Sequence, residues 1–280
     1  MILNVYKEPG MTSRDVVNIL SKHFQTKKVG HTGTLDPIAS GVLIVCTEKD
    51  TKLVDLITAE YKEYVATCKL GLKTDTGDIT GNVIEECSYN FKESDLQKVL
   101  HSFLGARTQT VPIYSAVKIN GKKLYEYARN NIPVTLPVRN INIRDIELLN
   151  FSGTEFTFRV VVSKGTYIRS LIEDICASLS TVGTMSALKR TKQGKYRVED
   201  ANKIEDILHD KYNLISVLDV LSDYPKVTLD FDLYKKVKNG AKISLNSNDK
   251  IVLLVYNNLP VALYEQEDNH YRVYKMLERS

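Results

Sequence analysis

The chain has 280 residues, of which 43% are hydrophobic and 26% charged, and it carries a net charge of +4. That length predicts one large domain with a smaller one, and the composition is that of a globular protein with a substantial core, which excludes a disordered chain. The charge alone does not require a polyanionic partner. No apolar stretch reaches membrane-spanning length, and the four scattered cysteines, without a Cys-x-x-Cys pair, argue against a disulfide scaffold. We therefore expect a cytoplasmic protein.

The first predicted elements are a strand over 2–6 and a helix that follows the turn at residues 8–10. Thr12 can cap this helix, because Asp15 stands three residues later in the pattern of a capping box. Apolar residues then recur at helical spacing, which predicts a helix with one buried face. These residues are Val16, Leu20 and Phe24.

The most unusual stretch is 30–41, which reads Gly-His-Thr-Gly-Thr-Leu-Asp-Pro-Ile-Ala-Ser-Gly. Its glycines and proline predict a stiff turn, and the apolar run 42–46 predicts a buried strand directly after it. Asp36 would then sit on a rigid loop at the mouth of a strand, where catalytic carboxylates are often held. The stretch lacks the Gly-Lys-Ser/Thr end of a phosphate loop, and His31 with Asp36 is a weak metal pattern. A surface loop with a capping aspartate is the alternative.

The next segments predict a helix over 51–57, a strand over 61–70 and a helix over 94–103. Tyr64 falls on the half-buried face of that strand, where a tyrosine is most often part of the core. Between the last two elements lies a polar turn that contains Asp78.

Residues 111–129 interleave aromatic side chains with lysine and arginine, including Tyr114 and Lys118. This composition is expected of a surface that grips phosphates and stacks on unpaired bases. A solvated hairpin and helix would have the same composition, and both interpretations stay open from the residues alone.

Strands are predicted over 138–151 and 155–163, followed by a helix with an apolar stripe after Gly165. Arg169 lies in the first turn of that helix, an unfavourable end of the dipole for a cation, so we expect it to have a partner. A basic cluster within reach of phosphates follows, with a solvated charged turn as the alternative. Its members are Lys189, Arg190, Lys192, Lys195 and Arg197. A polar break at 223–225 then precedes strands over 251–256 and 261–264.

Several of these strings resemble the TruB family of bacterial tRNA pseudouridine synthases. Residues 30–41 match its active-site motif almost letter for letter, and 62–64, 111–129, 164–169 and 188–191 resemble its other motifs in the same order. The first motif is recognisable in residues 7–13, although its proline stands one position later than in the family pattern.

The resemblance implies an α+β fold: a mixed, mainly antiparallel sheet with flanking helices, the pseudouridine synthase fold, plus a small C-terminal β-rich domain similar to PUA modules. We therefore predict a catalytic domain over 1–222, with an RNA-clamping insertion at about 111–140, and an RNA-binding domain over 223–280.

The activity implied by the resemblance is the isomerisation of uridine to pseudouridine at position 55, in the T-arm loop of tRNA, by a monomer that uses neither metal nor cofactor. The implied catalytic residues are Asp36, Tyr64 and Arg169, with Arg169 bound to Asp36 and Tyr64 stacked on the flipped base. The implied substrate contacts are His31, Leu188, Tyr167, Asp78, Lys7, Tyr114 and Lys118. His31 would fill the space that the base vacates, and Leu188 would close the far side of the pocket.

Two other classes of function fit the same surface. A noncatalytic RNA-binding or RNA-folding protein would keep its binding after Asp36→Asn. A hydrolase that uses Asp36 with His31 would release free uracil or a cleaved ester.

Overall fold

The computed structural model describes residues 1–58 and 61–278. The chain divides into two compact units, one of Leu3–Asn213 and one of Met1–Ile2 with Leu214–Ser280. The predicted boundary after residue 222 lies inside the second unit, and the functional division at that boundary stays a prediction. Within the described residues, every helix is too short or too polar to cross a membrane.

The part of the chain up to Asn213 is organised around a large mixed sheet. The strands of this part are β1 Ile2–Lys7, β2 Val29–His31, β3 Ser40–Thr47, β4 Tyr61–Leu70, β5 Leu72–Thr74, β6 Val83–Glu86, β7 Gly105–Thr110, β8 Lys118–Ile119, β9 Lys122–Lys123, β10 Val138–Phe151, β11 Glu155–Ser163, β12 Gly183–Gln193, β13 Tyr196–Arg197 and β14 Asn202–Lys203. The strand order in the large sheet is β14-β1-β3-β12-β4-β11-β10-β7. The pairs of β4 with β11 and β12, and of β10 with β7 and β11, are antiparallel, whereas β3 with β12 and β1 with β14 are parallel.

Short helices accompany this sheet: α1 Ser13–His23, α2 Val54–Ile57, α3 Glu93–Ser102, α4 Leu124–Arg129, α5 Ile168–Ser178 and α6 Ile204–Leu208. The predicted capping box is confirmed, because the Thr12 side chain accepts from the Asp15 amide and the Asp15 carboxylate accepts from the Thr12 amide. The helix predicted over 51–57 is only partly α-helical. A 3₁₀ helix occupies Glu48–Leu53, after Glu48 enters it with a φ of +53°.

The main core covers one face of the sheet beneath α3 and α5. Strand β4 alternates as predicted, with Tyr64, Ala66, Cys68 and Leu70 buried on that face. Helix α5 buries its predicted apolar stripe against the same cluster. Because each large apolar side chain contributes roughly 1.5–3 kcal/mol when fully buried, this packing holds β4, β12 and α5 in a fixed arrangement.

The elements of the second unit are α7 Val217–Val220, β15 Lys226–Thr228, α8 Phe231–Lys238, β16 Ile251–Tyr256, β17 Leu259–Glu267 and β18 His270–Met276. Its strands form a four-stranded sheet in the order β15-β16-β17-β18. Asn257 and Asn258, with φ of +49° and +59°, make the two-residue hairpin turn between β16 and β17. The predicted β-rich C-terminal part is therefore confirmed as a sheet.

Candidate active site

Asp36 lies on the loop between β2 and β3, and this loop is fixed at both sides. A Cβ atom at Gly41 would come within 2.2 Å of the Arg190 carbonyl oxygen, and Gly41 has a φ of +105°, so only glycine fits there. On the other side, the Gly10 amide donates to the Pro37 carbonyl at 2.9 Å. The loop therefore presents Asp36 in one position.

Lys7 lies beneath the loop, with its side chain fully buried. Its ammonium donates to the carbonyl oxygens of Glu8 at 2.9 Å, Pro37 at 3.3 Å and Ala39 at 2.6 Å. Burial lowers the pKa of Lys7 to about 8, although the negative charge of Asp36 acts in the opposite direction. Lys7 thus supports the loop from within the protein, which differs from the predicted contact with substrate.

The lowered pKa of Lys7 predicts a pH-dependent stability. Between about pH 8 and the ordinary value of 10.5, the unfolded chain binds more protons at this position than the folded chain, so the free energy of unfolding rises with pH. Lys7→Met removes this contribution. We expect the unfolding free energy of the wild type minus that of Lys7→Met to increase by about 1–3 kcal/mol from pH 7.5 to pH 10. Urea denaturation of both proteins at each pH measures this difference.

The control for this measurement is Lys69→Met, because Lys69 is exposed on β4. Its stability should follow that of the wild type at every pH. A difference between wild type and Lys7→Met that is the same at both pH values would contradict the prediction.

Arg169 and Asp36 form a bidentate ion pair. Arg169 Nε lies 3.0 Å from Asp36 Oδ2, and Arg169 Nη2 lies 3.1 Å from Asp36 Oδ1. Arg169 is 5% exposed, whereas the Asp36 side chain keeps 30% of its surface exposed. The guanidinium fork matches the geometry of the two carboxylate oxygens. The site therefore holds a carboxylate that is both fixed and accessible.

The remaining donors of Arg169 tie two further segments to the Asp36 loop. Its Nη1 donates to the Thr76 carbonyl at 2.9 Å, and its Nη2 also donates to the Tyr114 carbonyl at 3.0 Å. A cavity of about 180 Å³ opens beside Arg169, between residues 110–114 and 75–77. These hydrogen bonds explain why Arg169 is tolerated in the first turn of α5. Its guanidinium donates to fixed oxygen atoms, which compensate for the unfavourable end of the helix dipole.

Tyr64 and Leu188 form an apolar wall on neighbouring strands. Each is 7% exposed, and both belong to the same hydrophobic cluster as Leu35 of the Asp36 loop. Strand β12 pairs with β4 so that Leu188 lies opposite Ala66. Tyr64 and Leu188 thus lie on neighbouring strands of the sheet, and their role in enclosing a base stays a prediction.

His31 ends β2 and is half-buried next to the same loop. Burial lowers the pKa of His31, and the cations Arg190 and Arg14 lower it further. Its Nδ1 accepts from the Gly33 amide at 3.3 Å, which fixes the ring orientation. At neutral pH the ring is therefore uncharged, as suits stacking against a base.

The other predicted substrate contacts are distributed around this centre. Asp78 is buried, and its Oδ1 accepts from the Thr80 amide at 3.0 Å, so it stabilises its own turn. The Tyr167 amide and carbonyl exchange hydrogen bonds with the Gln109 side chain at 2.8 and 3.0 Å. Lys118 is exposed on β8. Their roles in binding stay predictions.

The predicted basic cluster is not a single surface. Lys189, Lys195 and Arg197 are exposed, but Arg190 is 1% exposed and lies inside the protein. Its Nε donates to the Val42 carbonyl at 2.7 Å and its Nη2 to the Gly33 carbonyl at 3.1 Å. Arg190 therefore links β12 to β3 and to the Asp36 loop. Its place in a run of basic residues had predicted a contact with phosphates and not this internal role.

Among residues 1–58 and 61–278, no group of three or more His, Cys, Asp or Glu side chains is arranged to hold a metal ion. The carboxylate of Asp36 is bound by the Arg169 guanidinium.

Comparison with known proteins gives consistent matches. The family model described as "TruB family pseudouridylate synthase (N terminal domain)" matches residues 21–168. The chain is 40% identical to the tRNA pseudouridine synthase B of Clostridium tetani, with 99% of each chain covered. It is 41% identical to the protein of the same name from Oceanobacillus iheyensis, with 94% of this chain and 92% of the relative covered.

Solved structures resemble the chain over nearly its full length. A chain in the crystal structure of a Cbf5-Nop10-Gar1 complex gives a TM-score of 0.74 at 26% identity, covering 99% of this chain and 85% of that chain. A chain in the structure of an H/ACA RNP bound to a substrate RNA containing 2′-deoxyuridine gives a TM-score of 0.71 at 25% identity, covering 99% and 84%.

Proposed function

The chain belongs to the TruB family of pseudouridylate synthases, and we propose that it converts uridine to pseudouridine at position 55 in the T-arm loop of tRNA. The observation that carries this proposal is the Asp36–Arg169 ion pair, in which Asp36 keeps an exposed surface beside the apolar wall of Tyr64 and Leu188. The reaction requires a positioned carboxylate and apolar side chains that enclose the base.

The reaction moves the uracil without changing the number of atoms in the RNA. The bond from N1 of the base to C1′ of the sugar breaks, a bond from C5 to C1′ forms, and C5 loses a proton while N1 gains one. An ionised Asp36 can start this by attacking the sugar or the base, or by removing a sugar proton. Each route uses the ionised form of the carboxylate, and the two hydrogen bonds from Arg169 fix the orientation of Asp36.

The target uridine must leave its stack before it meets Asp36, which costs a few kcal/mol. We propose that the neutral ring of His31 fills the vacated space and that Tyr64 stacks on the extruded base. Leu188 would close the opposite side and exclude water. A closed slot also explains how the base is retained after its first bond breaks.

Two variants of Tyr64 separate its ring from its hydroxyl. If the ring stacks on the base and the hydroxyl takes the C5 proton, Tyr64→Phe retains RNA affinity and loses turnover by roughly 10²- to 10⁴-fold. Tyr64→Leu loses turnover and also affinity, because a stacked base contributes about 1–3 kcal/mol. Single-turnover rates and RNA binding measured for both variants test this. Equal turnover in wild type and Tyr64→Phe would show that the hydroxyl has no role in proton transfer.

We propose further that the RNA also contacts the insertion at about 111–140. In helix α4 of this insertion, Arg129 lies 5.2 Å from the ring centroid of Tyr125. Lys123, which precedes the helix, lies 5.3 Å from the same centroid. Such pairs of a cation with an aromatic ring favour phosphates and unpaired bases. The exposed Lys118 on β8 adds another positive charge to the same segment.

For the C-terminal part, we propose the PUA-like RNA-binding role that was predicted for residues 223–280. Helix α8 carries the basic residues Lys235, Lys236 and Lys238 in its last turn. Lys235 lies 4.0 Å from the ring centroid of Phe231, which is 55% exposed. An exposed aromatic ring among lysines supports a contact with RNA.

The proposal includes a monomeric enzyme that acts on tRNA in the cytoplasm without metal or cofactor. Its test is to incubate the protein, in a buffer with a metal chelator, with an unmodified T-arm stem-loop and to map the product base. We expect pseudouridine at the target position. Free uracil in place of pseudouridine would identify a hydrolase, and bound but unmodified RNA would identify a noncatalytic RNA-binding protein.

A further inference from the structure

Lys62 is a buried lysine that the mechanism above does not use. It lies on β4, two residues before Tyr64 on the same face, and it is 9% exposed. Within residues 1–58 and 61–278, its ammonium has no hydrogen-bond or ion-pair partner, and its Nζ is not sealed from solvent. A buried charge without a partner is costly, so natural proteins seldom keep one without a use.

In the part of the chain that the structure describes, the elements around Lys62 do not supply a negative charge. Its cross-strand neighbours are the uncharged Val162 on β11 and Gln193 on β12. The adjacent Glu63 points to the opposite face of the sheet, where Arg159 and Lys192 are within ion-pair distance at 3.5 Å. The nearest acid in sequence is therefore directed away from Lys62 and already engaged.

The charged groups that do act on Lys62 are both cations. Burial lowers the pKa of Lys62 to about 8, and the positive charges of Arg190 and Lys164 lower it further. The Nε and Nη2 atoms of Arg190 donate hydrogen bonds to backbone carbonyls, and within the described residues Arg190 has no carboxylate partner. We call Lys62 and Arg190 the Lys62 cluster. It concentrates positive charge at a site that has no counter-charge among the described residues.

The Lys62 cluster adjoins the catalytic loop. A Cβ atom built on Gly33 would lie 3.7 Å from Lys62 Nζ and 3.7 Å from Arg190 Nη1, so both cations border the loop between His31 and Asp36. Two residues along a strand span roughly 7 Å, so the cluster lies about one nucleotide away from a base stacked on Tyr64. An anion bound there would be part of the substrate.

We propose that Lys62, assisted by Arg190, binds the phosphodiester that joins the target uridine to a neighbouring nucleotide. This inference rests on the proposed function. The missing counter-charge is supplied by the RNA, and the phosphate contact holds the backbone while the base is extruded. Lys62 is thus a positioning residue whose charge is satisfied only in the complex.

The test combines Lys62→Met with RNA in which a single phosphodiester is replaced by an uncharged methylphosphonate. Stem-loops carry the replacement 5′ or 3′ of the target uridine, or in the stem as a control. Binding is measured in the Asp36→Asn background, so that no turnover occurs. With native RNA, Lys62→Met should weaken binding about tenfold and reduce the slope of log K against log salt by about 0.7–0.9.

The decisive result is the combination of both changes. For one of the two flanking linkages, the methylphosphonate should weaken binding to the protein with Lys62 and leave binding to Lys62→Met unchanged. Independent losses at both flanking linkages, or native binding by Lys62→Met, would overturn the proposal. Lys69→Met, on the exposed end of β4, serves as the matched control and should respond to every linkage as the parent does.

Folding gives a separate readout for the same variant. Removing an unpaired buried charge should raise the urea midpoint of the free protein, the opposite of what loss of a structural contact would do. A lowered midpoint for both Lys62→Met and Lys62→Gln would identify Lys62 as a structural residue and overturn the proposal. If Lys62→Met does not fold, Lys62→Gln takes its place in both measurements. Pseudouridine formation by the wild type is scored independently, so failure here leaves the proposed function standing.

Discussion

Asp36→Asn is expected to abolish pseudouridine formation while RNA binding stays within about threefold of the wild type. The substitution preserves shape and removes the negative charge, so the variant lacks the nucleophile or base that every route needs. Loss of such a group lowers turnover on the order of 10⁴-fold or more. Release of tritium from C5-labelled uridine in a T-arm stem-loop measures the rate, and a filter-binding titration measures affinity.

The matched control for this variant is Asp55→Asn, which changes an exposed aspartate on α2 in the same way. It should release tritium at the wild-type rate. Normal release by Asp36→Asn would refute the assignment of Asp36. Loss of both release and binding would mean that the variant disturbs the loop rather than the chemistry.

Arg169→Met is expected to lower both activity and stability. It removes the bidentate partner of Asp36 and the donors to the Thr76 and Tyr114 carbonyls. We expect turnover to fall roughly 10²- to 10³-fold, as for the loss of a positioned donor. The free energy of unfolding should fall by about 3 kcal/mol, the lower end for a broken buried ion pair, because Asp36 is partly exposed.

Two further variants separate charge from geometry at this position. Arg169→Lys keeps the charge but cannot form the fork, so it should recover part of the stability and little of the activity. Arg159→Met removes an arginine that binds Asp145 and Glu147 on strand β10. It should leave turnover unchanged. Full activity of Arg169→Lys would show that orientation of Asp36 is unimportant.

The elements with strong local patterns could be predicted from the sequence. Strand β4 and the paired strands β10 and β11 have the predicted bounds, because alternation and flanking turns are local signals. Strand β12, at the centre of the sheet, gave no such signal. It mixes buried Leu188 and Arg190 with exposed Lys189, so its sequence looks like a charged turn.

The candidate site depended on information that local patterns do not contain. Asp36 and Arg169 are 133 positions apart, and only the family resemblance indicated that they meet. The position of Arg169 in the first turn of its helix predicted that it needed a partner, without identifying that partner. The burial of Lys7, Lys62 and Arg190 was not foreseeable, because lysine and arginine are almost always exposed unless tertiary contacts satisfy them.

The measurement that tests the central claim most directly uses a full-length unmodified tRNA. It is incubated with wild-type protein and with Asp36→Asn side by side, and pseudouridine is then mapped at each uridine. The account predicts pseudouridine in the T-arm loop at position 55 with the wild type and none with Asp36→Asn. Pseudouridine at that position with both proteins, or with neither, would contradict it.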